Sequence, residues 1–401
     1  MGPLNGIRVL DLTAVLMGPY CTQILADHGA DVVKVEGPEG DTTRQLPPGR
    51  TPGMGGMFLN VNRGKRGLGI DLKQPAGRAV LLKLAETADV FVHALRADAM
   101  QRLGLTYADF RAVNPRIIYA NAYGFSRRGP YAGQAAYDDI IQAISGVAAT
   151  QGRLTGTPGY AANVLADKVS GLTVLYALLM ALLHRERGGN GQEIEVGMFE
   201  TMASFMLTEH INGAVFDPPL SEPIYPRVVS PDRRPYQTAD GHIALLIYND
   251  KQFRAFSELA GNPDWTLEPR FAMLASRAKA IDEFYAHVAA TLSQRGTAEW
   301  LEGCQRLGIP AGRINSTQEV LDDPHLNAIG FFQARDTSQG KMRFPGIPTW
   351  FSETPPEIRE AGPGLGEHSR EVLTEAGYAT AEIKALFASG AVFTSPEGGA
   401  A

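Results

Sequence analysis

The sequence predicts an α/β protein: a doubly wound, Rossmann-like parallel-sheet large domain with a smaller α+β domain inserted into it. Three observations carry this expectation. The first forty residues alternate strand, helix and strand at the spacing of a βαβ unit, which implies parallel strands and a right-handed crossover. The alternation resumes after a Gly/Pro-rich excursion and continues to about residue 200. Prolines 218, 219, 223, 226, 231 and 235 then interrupt it, and a shorter, mainly helical run comes next.

In chain order, Ile7–Leu12 is a short apolar run ending in the loop Thr13–Pro19. Tyr20–His28 has helical spacing, with Gly29 where a terminating glycine belongs. Ala30–Glu36 is the second strand. Residues 37–67, rich in Gly, Pro, Arg and Asn, read as a long surface excursion, a feature that is often functional. Strands at Leu68–Leu72, Asp89–His93 and Arg116–Ala122 then alternate with helices at Pro75–Thr87, Ala97–Arg102 and from Tyr107. Helices Asp138–Ala148 and Ala166–Arg187 precede a strand at Gln192–Val196. A strand at His242–Ile247 and helices near Gln252–Leu259, Ala278–Gln294 and Thr297–Leu307 make the smaller unit. Ser369–Phe387 is helical, and the last ten residues read as disordered. The expected division is 1–205, a linker 206–235, a small domain 236–325, and 326–401 returning to the large domain.

Length and composition bound the function. At 401 residues, two to three domains are expected. A chain of that size buries roughly three-quarters of its unfolded surface, so it needs no disulfide or structural metal. With 44% apolar and 20% charged residues, it is neither disordered nor a fibrous repeat. A net charge of −6 supplies no general attraction to nucleic acid or anionic lipid, so neither is expected as a partner. The only cysteines, Cys21 and Cys304, have no metal-ligand spacing, which fits a reducing, cytoplasmic setting. The opening residues lack the pattern of a signal peptide, and position 6 is Gly where myristoylation wants Ser or Thr. The apolar run Leu172–Leu183 falls short of the ~18 residues that span a bilayer, so no membrane is expected.

Several chemistries are excluded by their missing residues. The loop Thr13–Pro19 holds one glycine, not the spaced set a pyrophosphate requires, which argues against NAD or FAD despite Glu36. The eight histidines show no paired metal-ligand spacing, so no metal is expected, and no G-x-S-x-G elbow exists. Carboxylate chemistry remains. Asp167 opens the most apolar helix in the chain. It reads either as an ordinary helix-dipole acid, worth ~0.3–1 kcal/mol, or as a nucleophile kept ionised by the same amides beside an apolar wall. Asp138 and Asp139 resemble a capping pair and Tyr137 an edge aromatic. Arg63, Lys65, Arg66 and Lys73, with Arg102 further on, form a basic cluster suited to a polyphosphate.

Taken together, the segments resemble the class III CoA-transferase family, which includes formyl-CoA and carnitine CoA-transferases and, as a divergent branch, α-methylacyl-CoA racemases. The resemblance rests on Pro3–Leu12, Gly18-Pro-Tyr-Cys-Thr-Gln, Leu25–Glu36, Gly40-Asp-Thr-Thr-Arg44, Arg63-Gly-Lys-Arg, Asp71-Leu-Lys73 and Arg102-Leu-Gly. It continues through Asn114-Pro-Arg-Ile-Ile-Tyr, Tyr137-Asp138, Gln142–Gly146, the Asp167 segment, Gly308-Ile-Pro-Ala-Gly and Leu365–His368. It implies an enzyme that moves CoA from a donor acyl-CoA to an acceptor carboxylic acid, with Asp167 as nucleophile forming aspartyl anhydride and aspartyl-CoA intermediates. No permanently bound cofactor is implied; coenzyme A or acyl-CoA is substrate. Lys73 and Arg102 match positions meeting the nucleotide end of CoA. Ile70, Asp71, Leu72, Tyr137, Asp138 and Met198 match further CoA-lining positions, and Leu16 and Met17 fall in the loop facing the acyl group. The family also implies an interlocked homodimer.

Departures qualify the substrate. Where the family commonly carries an Asn-aromatic pair and Arg-Pro-Gly, this chain reads Ala94-Leu95-Arg96-Ala97-Asp98. Leu16 replaces a glutamine, Ala135 a basic residue, and Tyr225–Tyr236 a glycine-rich flap, so formate and oxalate are not expected and a more apolar acyl group is. The racemase alternative needs a His-Asp pair where Tyr137-Asp138 stands, and tyrosine is a poor base at neutral pH. A non-catalytic acyl-CoA binding relative is the other alternative.

Overall fold

A computed structural model describes residues 2–395 of the chain. Strands β1 (Arg8–Leu12), β2 (Asp31–Glu36) and β3 (Arg66–Ile70) alternate with helices α1 (Met17–Asp27) and α2 (Gly56–Val61). Then come α3 (Pro75–Ala85), β4 (Val90–His93), α4 (Ala97–Leu103), α5 (Tyr107–Val113) and β5 (Ile118–Tyr123). Next are α6 (Asp138–Ile144), α7 (Val147–Thr155), α8 (Leu165–Glu186), β6 (Glu193–Gly197) and α9 (Met198–His210). The fold is mixed α/β around a mostly parallel central sheet, as the alternation requires.

That sheet has the order β12-β3-β2-β1-β4-β5-β6, with β12 (Val392–Phe393) the one antiparallel member. Register is set by apolar residues facing across neighbours: Leu10 pairs with Val33 on one side and Phe91 on the other. The order reverses between β1 and β4, so a crevice opens there at the carboxyl ends of the strands. Leu10, Val35, Leu68, Phe91 and Tyr119 are buried in one core, where Phe91 and Phe110 stack with ring centroids 4.1 Å apart. Burying such side chains contributes about 1.5–3 kcal/mol each. Helix α1 begins at Met17, three residues before the expected start. Pro19 is tolerated in its first turn because those N–H groups lack intrahelical partners anyway.

Residues cluster into two compact units. The first takes in the chain up to Ser145, Ala162–Phe205 and Asn327 onward; the second takes in Gly146–Ala161 and Met206–Leu326. The second is built on the antiparallel sheet β7 (Tyr236–Gln237), β8 (His242–Leu245) and β9 (Ala311–Arg313). Between β8 and β9 come helices α10 (Asp250–Leu259), α11 (Pro269–Ala272), α12 (Leu274–Lys279), α13 (Ile281–Leu292) and α14 (Thr297–Leu307). Phe253, Phe256, Phe284 and Trp300 fill its own core. Later in the chain, β10 (Phe332–Thr337) and β11 (Gly340–Pro345) form a hairpin that sequence reading missed.

Three expectations are corrected. Residues 37–67 are not a surface excursion: Phe58, Asn62, Arg63 and Lys65 are buried. The basic cluster there is not free for a polyphosphate, because Arg63 pairs with Asp27, Lys65 with Asp11 and Arg66 with Asp31. Of the tail expected to be disordered, Val392 and Phe393 form β12, while residues 396–401 lie outside those described. In addition, α8 runs for 22 residues, longer than its apolar run, and by length and composition alone it could cross a membrane.

Candidate active site

The site is assembled from the end of β1 and the loop beyond it. Asp11, within that strand, is fully buried: its carboxylate accepts hydrogen bonds from the Thr13 amide (3.0 Å), the Thr22 hydroxyl (2.6 Å) and the Lys65 ammonium (3.0 Å). Burial alone would raise the Asp11 carboxyl. The Lys65 and Lys34 charges outweigh it and hold the pKa down at about 2. On β2, Lys34 donates to the Thr13 carbonyl and to Asp41, both at 3.0 Å, and Asp41 in turn accepts the Val15 amide. These buried pairs clamp the loop. Within it Val15 is held at φ +70°, a left-handed conformation that is strained for a β-branched residue and costs about 1–3 kcal/mol.

Helix α8 then brings Asp167 to this loop. Gly171, one turn after Asp167, lies so close to α1 that a Cβ there would be 2.6 Å from the Met17 carbonyl oxygen. Asp167 donates its amide to Asp138 Oδ1 (3.1 Å), and Asp138 is itself held by Gln142. Among the described residues, no donor hydrogen-bonds the Asp167 carboxylate. Burial first, and then the Asp138 charge, push its pKa up to about 6. The helix-end amides therefore do not hold it at an ordinary carboxylate value. It is a bare carboxylate, ionised at neutral pH at a cost in free energy.

Asp167 faces a cavity of about 720 Å³. Its walls are the chain after β1 (Leu12, Ala14, Val15, Met17), after β4 (Ala94–Asp98) and after β5 (Tyr123–Phe125), with Arg127, Ala132–Tyr137 and Met198. This is the crevice at which the strand order reverses. The walls are mainly apolar, with Arg96, Asp98 and Arg127 as charged groups. His93, at the end of β4, lies beneath and is fully buried; burial pulls its pKa down to about 4. Tyr123 donates to Asn121 Oδ1 (2.7 Å), and His93 Nε2 meets the same oxygen at 3.0 Å. That oxygen only accepts, so Nε2 carries the hydrogen and the ring is neutral. Among the described residues, no three His, Cys, Asp or Glu side chains group to hold a metal ion.

Of the residues singled out from sequence, Met17, Tyr137, Asp167 and Met198 meet at this cavity. Asp138 stands behind Asp167, and Leu16 is buried between Val15 and Met17. Asp71, Leu72, Lys73 and Arg102 do not line it. Arg102 is exposed and paired at 2.7 Å with Asp98, which does line it; Lys73 is exposed, with its amide bonded to Asp71. Ile70 is completely enclosed in the sheet's core, so its side chain packs and cannot contact a ligand. Sequence reading missed Val15, Arg96 and Arg127: nothing local marks a valine for positive φ, or an arginine for a cavity wall.

Known proteins agree with this geometry. Residues 4–369 match the family model described as CoA-transferase family III. The chain belongs to that family. Succinate–glutarate CoA-transferase of Agrobacterium fabrum is 35% identical over 385 residues, covering 93% of this chain and 95% of the relative. Succinyl-CoA:mesaconate CoA-transferase of Haloarcula hispanica is 34% identical, covering 95% and 98%. Formyl-CoA:oxalate CoA-transferase of Escherichia coli is 31% identical, covering 96% and 98%. Among solved structures, a CAIB/BAIF family protein from Brucella suis superposes with a TM-score of 0.79 at 30% identity, covering 94% of this chain and 99% of its own. The protein is thus a CoA-transferase acting between acyl-CoA and carboxylate substrates, and the crevice is where the transferase's bare buried carboxylate meets open space.

Proposed function

We propose that this transferase moves CoA from an acyl-CoA to a carboxylic acid through covalent intermediates on Asp167. The observation that carries the reading is the Asp167 carboxylate, unsolvated by donors, raised to about 6 and opening on the crevice. An Asp167 oxygen attacks the thioester carbonyl, giving an aspartyl–acyl anhydride and CoA thiolate. The thiolate attacks the aspartyl carbonyl, releasing the donor acid and leaving an aspartyl-CoA thioester. The acceptor carboxylate attacks that thioester, forming a second anhydride and freeing the thiolate. Attack of the thiolate on the acceptor's carbonyl gives the new acyl-CoA and restores Asp167. No energy is lost to water provided the crevice excludes it, which its apolar walls favour.

Met17, Tyr137 and Met198 would line the reacting end, with Leu16 behind them. Asp98 and Arg102 lie toward the nucleotide end, with Asp71, Leu72 and Lys73 assigned there by resemblance alone. Relatives named for succinate, glutarate, mesaconate and D-citramalate support a C4–C5 dicarboxylic acid as one partner. Among the described residues, no histidine lines the cavity, which disfavours two-base racemisation. The working form is proposed as a homodimer: Leu172, Tyr176, Leu179, Met180 and Leu183 form an exposed apolar stripe along α8, continued by Ile140 and Ile144 of α6. The two buried free thiols, Cys21 and Cys304, support a reducing, cytoplasmic setting.

Mass spectrometry after incubation with a panel of acyl-CoAs tests the chemistry. A CoA adduct on the Asp167 peptide, absent in Asp167→Ala, is expected. With ¹⁸O in the acceptor carboxylate, label should reach Asp167 and then the released acid. Solvent oxygen in those positions would overturn the reading.

A further inference from the structure

A second cavity, of about 560 Å³, lies wholly within the second unit, against the β7–β8–β9 sheet. Its walls carry Arg227, Arg233 and Arg234 together with Tyr236 and Tyr285, over an apolar floor that includes Leu245. Arg234 is paired with Asp232 at 3.2 Å, whereas among the described residues Arg227 and Arg233 have no acidic partner. Three guanidiniums against one carboxylate leave an excess of two positive charges. The tyrosines supply a separate signal. They are 5% and 6% exposed, yet among the described residues no protein group hydrogen-bonds either hydroxyl. A buried phenol without a partner costs about 1–3 kcal/mol, so such a pair aimed at a cavity wall marks a place where an acceptor belongs. Burial also holds the Tyr236 phenol above its usual range, so it stays protonated and can donate.

From this geometry we propose that the arginine cavity of the second unit binds a short aliphatic dicarboxylate. Guanidinium forks match carboxylates bidentately, two excess charges match a dianion, phenol hydroxyls donate to the remaining oxygens, and the apolar floor accommodates a methylene chain. The choice of a dicarboxylate rests on the reading under Proposed function; the site itself rests on residues that reading does not use.

Calorimetric titration of the whole protein tests it, with glutarate, butyrate, inorganic phosphate and CoA as probes. Glutarate is expected to bind, and butyrate at least tenfold more weakly. Arg227→Gln and Arg233→Gln should each weaken glutarate binding tenfold or more with CoA affinity unchanged. Tyr285→Phe, which removes one oxygen, should weaken it about threefold while melting as the parent does. Asp167→Ala should bind glutarate normally, so a failure of the covalent chemistry leaves this result standing. The proposal is overturned if glutarate does not bind, if the arginine variants bind it unchanged, or if their loss falls on CoA or phosphate instead.

Discussion

Because burial and the neighbouring Asp138 raise the Asp167 pKa to about 6, the direction of each pH effect at this residue is fixed. The nucleophile is the ionised form, so activity should fall as pH drops through about 6. Asp138→Asn keeps an oxygen for the Asp167 amide but removes the like charge. The acid limb of the rate profile should therefore shift to lower pH, a change a merely structural role would not produce. An acid raised from 3.8 to about 6 weakens folding above pH 6, where both states are ionised, and not below 3.8, where both are protonated. The cost is roughly 2 to 3 kcal/mol. Asp167→Asn should thus abolish turnover yet melt a few degrees higher at pH 7, with the gain vanishing below pH 4 in a calorimetric series. From sequence, Asp167 was visible as a helix-opening acid. The oxygen behind it was not, because Asp138 stands 29 positions away.

At the scale of elements, the approach of α8 to α1 decides where Asp167 sits. Gly171 permits that approach, and Gly18 packs just as tightly onto Thr13. Gly171→Val would drive a branched side chain into backbone, which cannot yield as a flexible side chain can. Expected outcomes are a loss of about 2 kcal/mol or more in chemical denaturation and a fall in kcat exceeding tenfold, with CoA affinity less affected. The parallel strands β1–β6 were legible because each is a short apolar run bounded by turn residues. The β10–β11 hairpin and β12 were not: short strands in Gly- and Pro-rich surroundings carry little periodicity, and their pairing is set by distant partners.

For the whole molecule, the exposed stripe on α8 is the feature a monomer does not explain. Met180 is 65% exposed and Leu183 52%, on a helix whose opposite face buries Ala166, Ser170, Val174 and Leu178. Met180→Glu should shift the protein toward monomer in light scattering at micromolar concentration, with little effect on the fold of the chain. An unchanged mass would count against a subunit interface there. Residue order alone determined the α/β alternation, the family and the candidate nucleophile, because apolar periodicity and motif strings are local properties of the chain. Tertiary structure alone decided which charges are available. Arg63, Lys65 and Arg66 are engaged by acids 36, 54 and 35 positions away, whereas Arg96 and Arg127 face the crevice. Charge pairing depends on separation in space, which a linear sequence does not contain.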